Sequence, residues 1–339
     1  MLKRLFPALA VVALLASSPA QAAVPYTSLF IFGDSLSDAG NNALVIGANS
    51  SQIIGSNTYI PTQPYGSGQY TNGDVWAKTF ANSLGLGAYA TPALAGGGNF
   101  AFGGARTSLD GDAPFYFPPS LKSQATNFLS ALPGGVAPGG ALYVVAGGGN
   151  DARDTLTAAA SNLSAAVSII ETAAARYATD TEWIVHSLRA AGARSIVVWN
   201  TPNLGRVPAV SAGGPGASFL GSWVAGAMNT ALSEAMADET GVTIFPSFGL
   251  LTDAADNPSL FGLTNVTDAC GNVAALCDPA TSMFWDGIHP TSAGHALLAH
   301  EMLRSAAVVA VPEPETYAMM LMGLGLLGLV ARRRKQQAA

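Results

Sequence analysis

Short apolar runs alternate along the chain with longer amphipathic stretches, which is the pattern of a parallel β-sheet covered by helices on both faces. The apolar runs predict five strands, at residues 28–33, 99–104, 141–148, 195–200 and 242–246. The amphipathic stretches predict helices at roughly 154–178, 181–191, 216–240 and 291–307. We therefore expect an α/β fold with a central, mostly parallel sheet.

Residues 41–98 interrupt this alternation. They are mostly Gly, Asn, Ser, Thr and Pro, and they favour a helix only near Val75 to Leu84. This composition is typical of a long irregular insert over a binding site, and a disordered loop is the alternative interpretation.

Both ends of the chain have the composition of targeting segments. Lys3 and Arg4 precede an apolar run and the small-residue sequence SSPAQAA, which predicts a secretory signal peptide over residues 1–23. Near the C-terminus, the apolar segment 317–331 is followed by three arginines and a lysine. A helix that is apolar all round and ends in cations fits a bilayer better than a protein groove, so we expect a short membrane segment there. Residues 24–310 remain as one folded domain.

The charge of the chain argues against nucleic acid as a partner. The 15 Lys and Arg residues are outnumbered by 21 Asp and Glu, and within the domain the basic residues are scattered singly. Binding to a phosphate backbone depends on clustered cations. We therefore expect no nucleic-acid partner.

The candidate chemistry follows the predicted strands, because the carboxyl ends of parallel strands share one edge of the sheet. Ser35 follows the first strand in the sequence GDSL, Gly104 ends the second, and Asn150 follows the third. Asp286 and His289 are three positions apart, immediately before the last helix. We expect these five residues to share one cleft.

This combination of residue types suits acyl transfer. A serine hydroxyl becomes a good nucleophile when a neutral imidazole takes its proton and a carboxylate orients that imidazole. N–H donors must meet the charge that develops on the carbonyl oxygen, and the backbone N–H groups of Ser35 and Gly104 and the amide of Asn150 are suited to this task. Taken singly, Ser35 is more often a turn residue or helix cap, and Asn150 a brace of its own loop.

Four blocks, in order, resemble those of the GDSL or SGNH esterase/lipase family: FGDSLSDAGN, NFAFGGA, GGGND and DGIHP. Two further pieces, PYGSGQYTNGDVW (64–76) and NTPNLGRVPA (200–209), favour its secreted lipase-like branch. The resemblance implies a flavodoxin-like α/β/α sandwich and an enzyme that hydrolyses carboxylic esters without a metal or an organic cofactor.

Position by position, the resemblance implies Ser35 as the nucleophile, His289 as the base and Asp286 as the acid that orients it. It implies Ser35, Gly104 and Asn150 as the oxyanion donors. Because Gly103 and Gly104 are adjacent, either glycine is compatible with the donor position.

The C-terminus resembles the PEP-CTERM sorting signal of exported bacterial proteins, since Pro312-Glu313-Pro314 precedes the apolar segment and the Arg-rich end. The resemblance implies a sorting tail over 311–339, transient anchoring in the inner membrane through this tail only, and cleavage by an exosortase. The expected location is the cell envelope, the surface or the extracellular matrix. In an exported chain, Cys270 and Cys277, its only cysteines, predict a disulfide.

The substrate is less constrained than the reaction. Phe115, Tyr116 and Phe117 either form an apolar wall for an acyl chain or pack on the core. A carbohydrate O-acetylesterase and a non-catalytic surface or matrix module with the same fold are alternative functions. The joint presence of Ser35 with Asp286 and His289 favours an esterase or lipase, because a binding module needs none of them.

Overall fold

The computed structural model describes residues 26–47, 65–66, 68–272, 274–309 and Met322. Four strands form a parallel sheet in the order β1-β2-β3-β4, with β1 at Ser28–Gly33, β2 at Ala141–Ala146, β3 at Ser195–Trp199 and β4 at Val242–Phe245. Each strand corresponds to a predicted apolar run, since a strand covered on both faces needs apolar side chains at nearly every position. These four predictions are confirmed.

The prediction of a regular strand at 99–104 is wrong. The segment follows the outer edge of β1, where the N–H of Ile31 donates to the carbonyl of Gly98 (3.0 Å) and the N–H of Phe100 donates to the carbonyl of Ile31 (2.7 Å). It then turns away, and Gly104 has a φ of +82°, which a strand excludes. With this edge segment included, the spatial order is second, first, third, fourth, fifth, as in flavodoxin-like sheets.

Helices cover both faces of the sheet. In chain order they are α1 (Asn41–Ile46), α2 (Trp76–Ser83), α3 (Leu121–Ala131), α4 (Gly149–Ser161), α5 (Ala166–Ala190), α6 (Pro208–Ser211), α7 (Pro215–Ala235), α8 (Ser247–Asp256) and α9 (Ser292–Val309). Helices α3, α4, α5 and α7 pack on the face that carries Phe32, and α2 and α9 pack on the face that carries Ile31. The two residues face opposite ways because side chains alternate along a strand. The predicted three-layer α/β/α fold class is confirmed.

The predicted boundary between the first two helices, 154–178 and 181–191, is misplaced. A break was expected near residues 179–180, but the chain breaks at Leu163–Ala165, between α4 and α5. The polar sequence Thr179-Asp180-Thr181 continues the helix, since the hydroxyl of Thr181 donates to the carbonyl of Tyr177 (2.8 Å) and Lys122 pairs with Asp180 (3.0 Å). Tertiary contacts here outweigh a local sequence that resembles a turn.

A small second sheet precedes the loop that carries Asp286 and His289. Its parallel strands are β5 (Asn265–Ala269) and β6 (Ser282–Phe284). The predicted disulfide is confirmed, because Cys270 and Cys277 are bonded and close the loop between the two strands. Strand β6 leads directly into residues 285–289, so this sheet sets the direction in which that loop leaves.

Two predictions concern residues that the structure does not describe. The signal peptide over 1–23 and the membrane segment over 317–331 lie outside the described residues, apart from Met322. Of the helices in the described part of the chain, none combines the length and the apolar character needed to cross a membrane. The helix expected near 75–84 is confirmed as α2.

Candidate active site

Ser35 lies in the turn that ends β1. The carbonyl of Asp34 accepts a hydrogen bond from the N–H of Ser37 at 3.0 Å, which closes the turn around the serine. At Gly33, just before the turn, an added Cβ would lie 2.6 Å from the carbonyl oxygen of Ala146 on β2. Only glycine fits this close approach, and it fixes the point at which Ser35 emerges from the sheet.

Asp286 and His289 belong to the loop between β6 and α9. Oδ1 of Asp286 accepts the N–H groups of Ile288 (2.7 Å) and His289 (2.6 Å), which is an aspartate-closed turn. The N–H of Trp285 donates to the carbonyl of His289 at 2.8 Å and closes the same loop. The three-residue spacing therefore sets the two side chains against each other, with Nδ1 of His289 2.7 Å from Oδ2 of Asp286.

The other imidazole nitrogen, Nε2 of His289, lies 2.8 Å from Oγ of Ser35, although 254 positions separate the two residues. Both Asp286 and His289 are buried, whereas Ser35 is half-buried and lines a cavity. Burial alone would raise the pKa of Asp286. The charge of His289 and the hydrogen bonds from His289 and Tyr65 outweigh it, so the pKa lies below its ordinary value. Asp286 is thus an ionised carboxylate beside the imidazole.

Two tyrosines that the sequence analysis did not single out contact this set. The hydroxyl of Tyr65 donates to Oδ2 of Asp286 at 2.6 Å. The ring of Tyr70 lies 5.2 Å from the ring of His289, and its hydroxyl accepts a hydrogen bond from Asn42 at 2.7 Å. Both tyrosines belong to the block 64–76, which resembles the secreted lipase-like branch of the family.

The two adjacent glycines differ in their hydrogen bonds. The N–H of Gly103 donates to Oδ2 of Asp38 at 2.9 Å. Within the described residues, neither the N–H of Gly104 nor that of Ser35 donates a hydrogen bond. The amide of Asn150, at the start of α4, donates to the carbonyl of Ala105 at 2.9 Å. All four of the residues Ser35, Gly103, Gly104 and Asn150 line the same cavity.

Asp38 holds two of these loops together. Oδ1 accepts the N–H groups of Gly40 (2.8 Å) and Asn41 (2.7 Å), and Oδ2 accepts those of Asn42 (3.2 Å) and Gly103 (2.9 Å). Burial raises the pKa of Asp38 to about 6, although these four donors act in the opposite direction. The side chain is therefore a brace inside the protein and not a group that faces the cavity.

Asp34 is a second buried acid, and it does line the cavity. Burial raises its pKa to about 6, against the opposing effects of the Leu36 N–H and the charge of His289. Oδ1 of Asp34 accepts that N–H at 3.0 Å. In the described part of the chain, no group of three or more His, Cys, Asp or Glu side chains is arranged to hold a metal ion.

The cavity beside Ser35 has a volume of about 710 Å³. Much of its lining is apolar and includes Trp199, Leu204, Leu250, Leu251, Phe284 and Leu298. Arg153, Asp154 and Thr157 on α4 contribute polar groups to the lining. A cavity of this size with few polar groups is typical of a small-molecule site.

The three aromatic residues proposed for the substrate are separated in space. Phe117 lines the cavity and packs edge-to-face against Phe102, with ring centroids 5.9 Å apart. Phe115 and Tyr116 do not line it, and their side chains are 86% and 62% exposed. Only Phe117 is therefore positioned to contact a ligand bound beside Ser35.

Fold and site together define a three-layer α/β protein with a hydrogen-bonded Ser–His–Asp set at the carboxyl edge of its sheet. Residues 29–302 match the family model of GDSL-like lipases/acylhydrolases, and the chain belongs to this family. Residues 310–335 match the PEP-CTERM protein-sorting motif, which indicates export and sorting in a bacterium.

Several known proteins are similar to the chain. Esterase EstA of Pseudomonas aeruginosa is 33% identical over 84% of this chain and 47% of its own length. A GDSL esterase/lipase of Arabidopsis thaliana is 27% identical over 82% of this chain and 89% of its own length. The chain thus spans about half the length of the Pseudomonas relatives. The solved structure of an extracellular lipase from Streptomyces rimosus is 18% identical, with a TM-score of 0.43, over 82% of this chain and 99% of that one.

Proposed function

We propose that the protein is an exported serine esterase or lipase that hydrolyses carboxylic ester bonds through an acyl-enzyme intermediate. The observation that carries the proposal is the continuous line of hydrogen bonds from Ser35 through His289 to Asp286, beside a cavity of about 710 Å³. Membership of the GDSL-like lipase/acylhydrolase family supports the same reaction.

In the first half-reaction, Oγ of Ser35 attacks the ester carbonyl carbon while Nε2 of His289 takes the hydroxyl proton. Asp286 holds the imidazole by Nδ1 and stabilises the imidazolium that forms. His289 then gives the proton to the alcohol oxygen, the C–O bond breaks, and the acyl group stays on Ser35. In the second half-reaction, water attacks the acyl carbon as His289 takes its proton. His289 then returns that proton to Oγ of Ser35, the bond between Oγ and the acyl carbon breaks, and the carboxylic acid leaves.

The oxyanion donors in this proposal are the N–H groups of Ser35 and Gly104 and the amide of Asn150. Gly104 is favoured over Gly103 because Asp38 already accepts the N–H of Gly103. One amide hydrogen of Asn150 donates to the carbonyl of Ala105, which orients the amide and leaves its second hydrogen for the substrate.

The apolar part of the cavity lining supports an acyl chain as the group that is bound there, with the alcohol towards the polar residues of α4. Activity against nitrophenyl esters of graded chain length tests this arrangement. Leu250→Trp should lower kcat/KM for long-chain esters at least tenfold and leave acetyl esters within twofold, because the larger side chain fills the apolar part of the cavity. A wild-type preference for acetyl esters that Leu250→Trp does not change would contradict it.

The mechanism is tested most directly at the serine. A fluorophosphonate probe should label the wild-type chain at Ser35 alone, and Ser35→Ala should abolish both labelling and ester hydrolysis. Ser187→Ala, on α5 and outside the cavity lining, is the matched control and should behave as the wild type. Undiminished turnover by folded Ser35→Ala would overturn the mechanism.

The finer details of export are part of the same proposal. The signal peptide at 1–23 directs the chain across the inner membrane, the segment 317–331 anchors it there for a time, and an exosortase cleaves near Pro312-Glu313-Pro314. Deletion of 312–339 should release an active enzyme from the cell envelope, because every proposed active-site residue lies before residue 300. Inactivity of the exported, truncated chain would contradict this division.

A further inference from the structure

Tyr65 lies against the carboxylate of the Ser–His–Asp set. Its hydroxyl donates to Oδ2 of Asp286 at 2.6 Å, and the same oxygen is 2.7 Å from Nδ1 of His289. The tyrosine is 221 positions away from Asp286 in the chain, whereas the donors to Oδ1 come from the residues that follow Asp286 directly. Tyr65 is thus a contact from a distant part of the chain to the oxygen that orients the imidazole.

Packing fixes the direction of the Tyr65 hydroxyl. The side chain is buried and belongs to one apolar cluster with Tyr70 and Trp285. Its ring stands edge-on to the ring of His289, with an interplanar angle of 89° and a centroid distance of 6.0 Å. Because the ring touches both the imidazole and the loop that carries Asp286, the hydroxyl has little freedom to leave the carboxylate.

We infer that Tyr65 is a positioning residue for the catalytic aspartate, an inference that rests on the proposed serine esterase function. The hydrogen bond holds Oδ2 of Asp286 in line with Nδ1 of His289, and it is charge-assisted because the acceptor is a carboxylate. It also draws part of the negative charge of Asp286 towards the tyrosine. Its loss has two consequences of different kinds: poorer alignment of the imidazole, and a stronger pull of Asp286 on the imidazolium.

Tyr65→Phe in the full chain separates these consequences from simple loss of stability. We expect kcat for a soluble nitrophenyl ester to fall about 10- to 100-fold with KM within twofold, as for loss of a hydrogen bond to a charged group. The acid limb of kcat/KM against pH, which reports the Asp286–His289 pair, should move to higher pH. Tyr143→Phe is the matched control, since it removes a hydroxyl that donates to the carbonyl of Pro138 outside the cavity, and it should change neither.

A second variant tests the same bond in the opposite direction. Replacement of Tyr65 by 3-fluorotyrosine keeps the shape and makes the hydroxyl a stronger donor, so the acid limb should move to lower pH. The downfield imidazole proton resonance of His289 should shift in opposite directions in the two variants. If Tyr65→Phe does not fold, the acid limb and the imidazole resonance of the fluorotyrosine chain test the role of Tyr65 by themselves.

The failure of this inference is distinguishable from failure of the proposed function. If Ser35→Ala is inactive while folded Tyr65→Phe keeps the kcat and pH profile of the wild type, only the role of Tyr65 is overturned. If Ser35→Ala retains turnover, the esterase mechanism itself is overturned. An unshifted acid limb and imidazole resonance in the fluorotyrosine chain would also overturn the role of Tyr65.

Discussion

The side chain of Gln124 bonds to both backbone polar groups of Gly33. Its Oε1 accepts the N–H of Gly33 at 2.8 Å, and its Nε2 donates to the carbonyl of Gly33 at 2.9 Å. Gln124 is buried on α3, so an amide side chain replaces part of a neighbouring strand at the end of β1. The turn that carries Ser35 thus starts from a residue whose backbone N–H and carbonyl are both hydrogen-bonded to one side chain.

Gln124→Met should destabilise the protein by about 1–3 kcal/mol, because it keeps the length of the side chain but leaves the buried N–H of Gly33 without its acceptor. The carbonyl of Gly33 still accepts the N–H of Phe102 at 3.1 Å. Urea unfolding measures the change. Asn127→Met, an exposed position on the same helix, should stay within about 0.5 kcal/mol of the wild type. Equal stability of the two variants would mean that the Gln124 contacts contribute nothing.

Asn150→Ala should lower kcat about 10²- to 10³-fold with little change in KM, because an oxyanion donor acts on charge that exists only in the transition state. Asn150→Asp should be at least as harmful, since an ionised carboxylate has no N–H and repels the oxyanion. Steady-state kinetics on a soluble ester, with circular dichroism as the folding control, decide the matter. Near-normal kcat in both variants would reduce Asn150 to a brace for Ala105.

Stability should depend on pH through Asp34. Its folded pKa of about 6 lies above the ordinary value of 3.8, because burial disfavours the charged form. The folded state therefore binds the proton more tightly, and this contribution is full below about pH 4 and is lost as the pH rises through 6. The loss is on the order of 3 kcal/mol.

Urea unfolding at pH 4.5 and pH 7.5 checks this sign. The decrease in the free energy of unfolding between the two values should be smaller in Asp34→Asn than in the wild type. Asp38 still contributes a decrease of the same sign in both chains. Asp112→Asn, at an exposed position, should leave the wild-type decrease unchanged. An equally steep decrease in Asp34→Asn would show that Asp34 is ionised throughout this range.

Phe117→Ala should raise KM for aryl and long-chain esters several-fold, because it removes part of the cavity wall beside Ser35. Phe115→Ala should leave KM unchanged, since that side chain is 86% exposed and does not line the cavity. Phe219→Ala, on the exposed side of α7, is the control for loss of a surface aromatic residue. A larger effect at Phe115 than at Phe117 would mean that the exposed tip of this segment contacts substrate.

Strands β1, β2 and β3 were predictable because they are buried on both faces and therefore consist of apolar runs, and the partly exposed β4 is still mostly apolar. The edge segment at 99–104 was not, since its irregularity depends on the bond from the N–H of Gly103 to Asp38 and on the positive φ of Gly104. The helix α3 was missed because its sequence is mixed, and its start depends on the side chain of Ser120 accepting the N–H of Ser123 at 3.2 Å. Such contacts are local, but the hydropathy pattern of the sequence does not reveal them.

The positions of Ser35, Asp286 and His289 followed from residue types at strand and helix ends. Tyr65 could not be found in this way, because its role depends on a contact across 221 positions and its own segment has no periodicity. The choice between Gly103 and Gly104 likewise depended on which N–H another side chain accepts. Sequence gives the chemistry of such residues, and only the fold gives their partners.

The hydrogen bonds of Asp38 limit which loop sequences can be exchanged in this protein. It accepts the N–H of Asn41, which follows the Ser35 turn, and the N–H of Gly103 in the glycine loop, so one side chain supports both loops. A glycine loop taken from another protein would have to donate an N–H to Oδ2 of Asp38. Without that bond, the position of Asp38, and with it that of the Ser35 turn, would be less well fixed. We therefore expect a functional transfer of the glycine loop between related proteins to require transfer of the Ser35 loop as well.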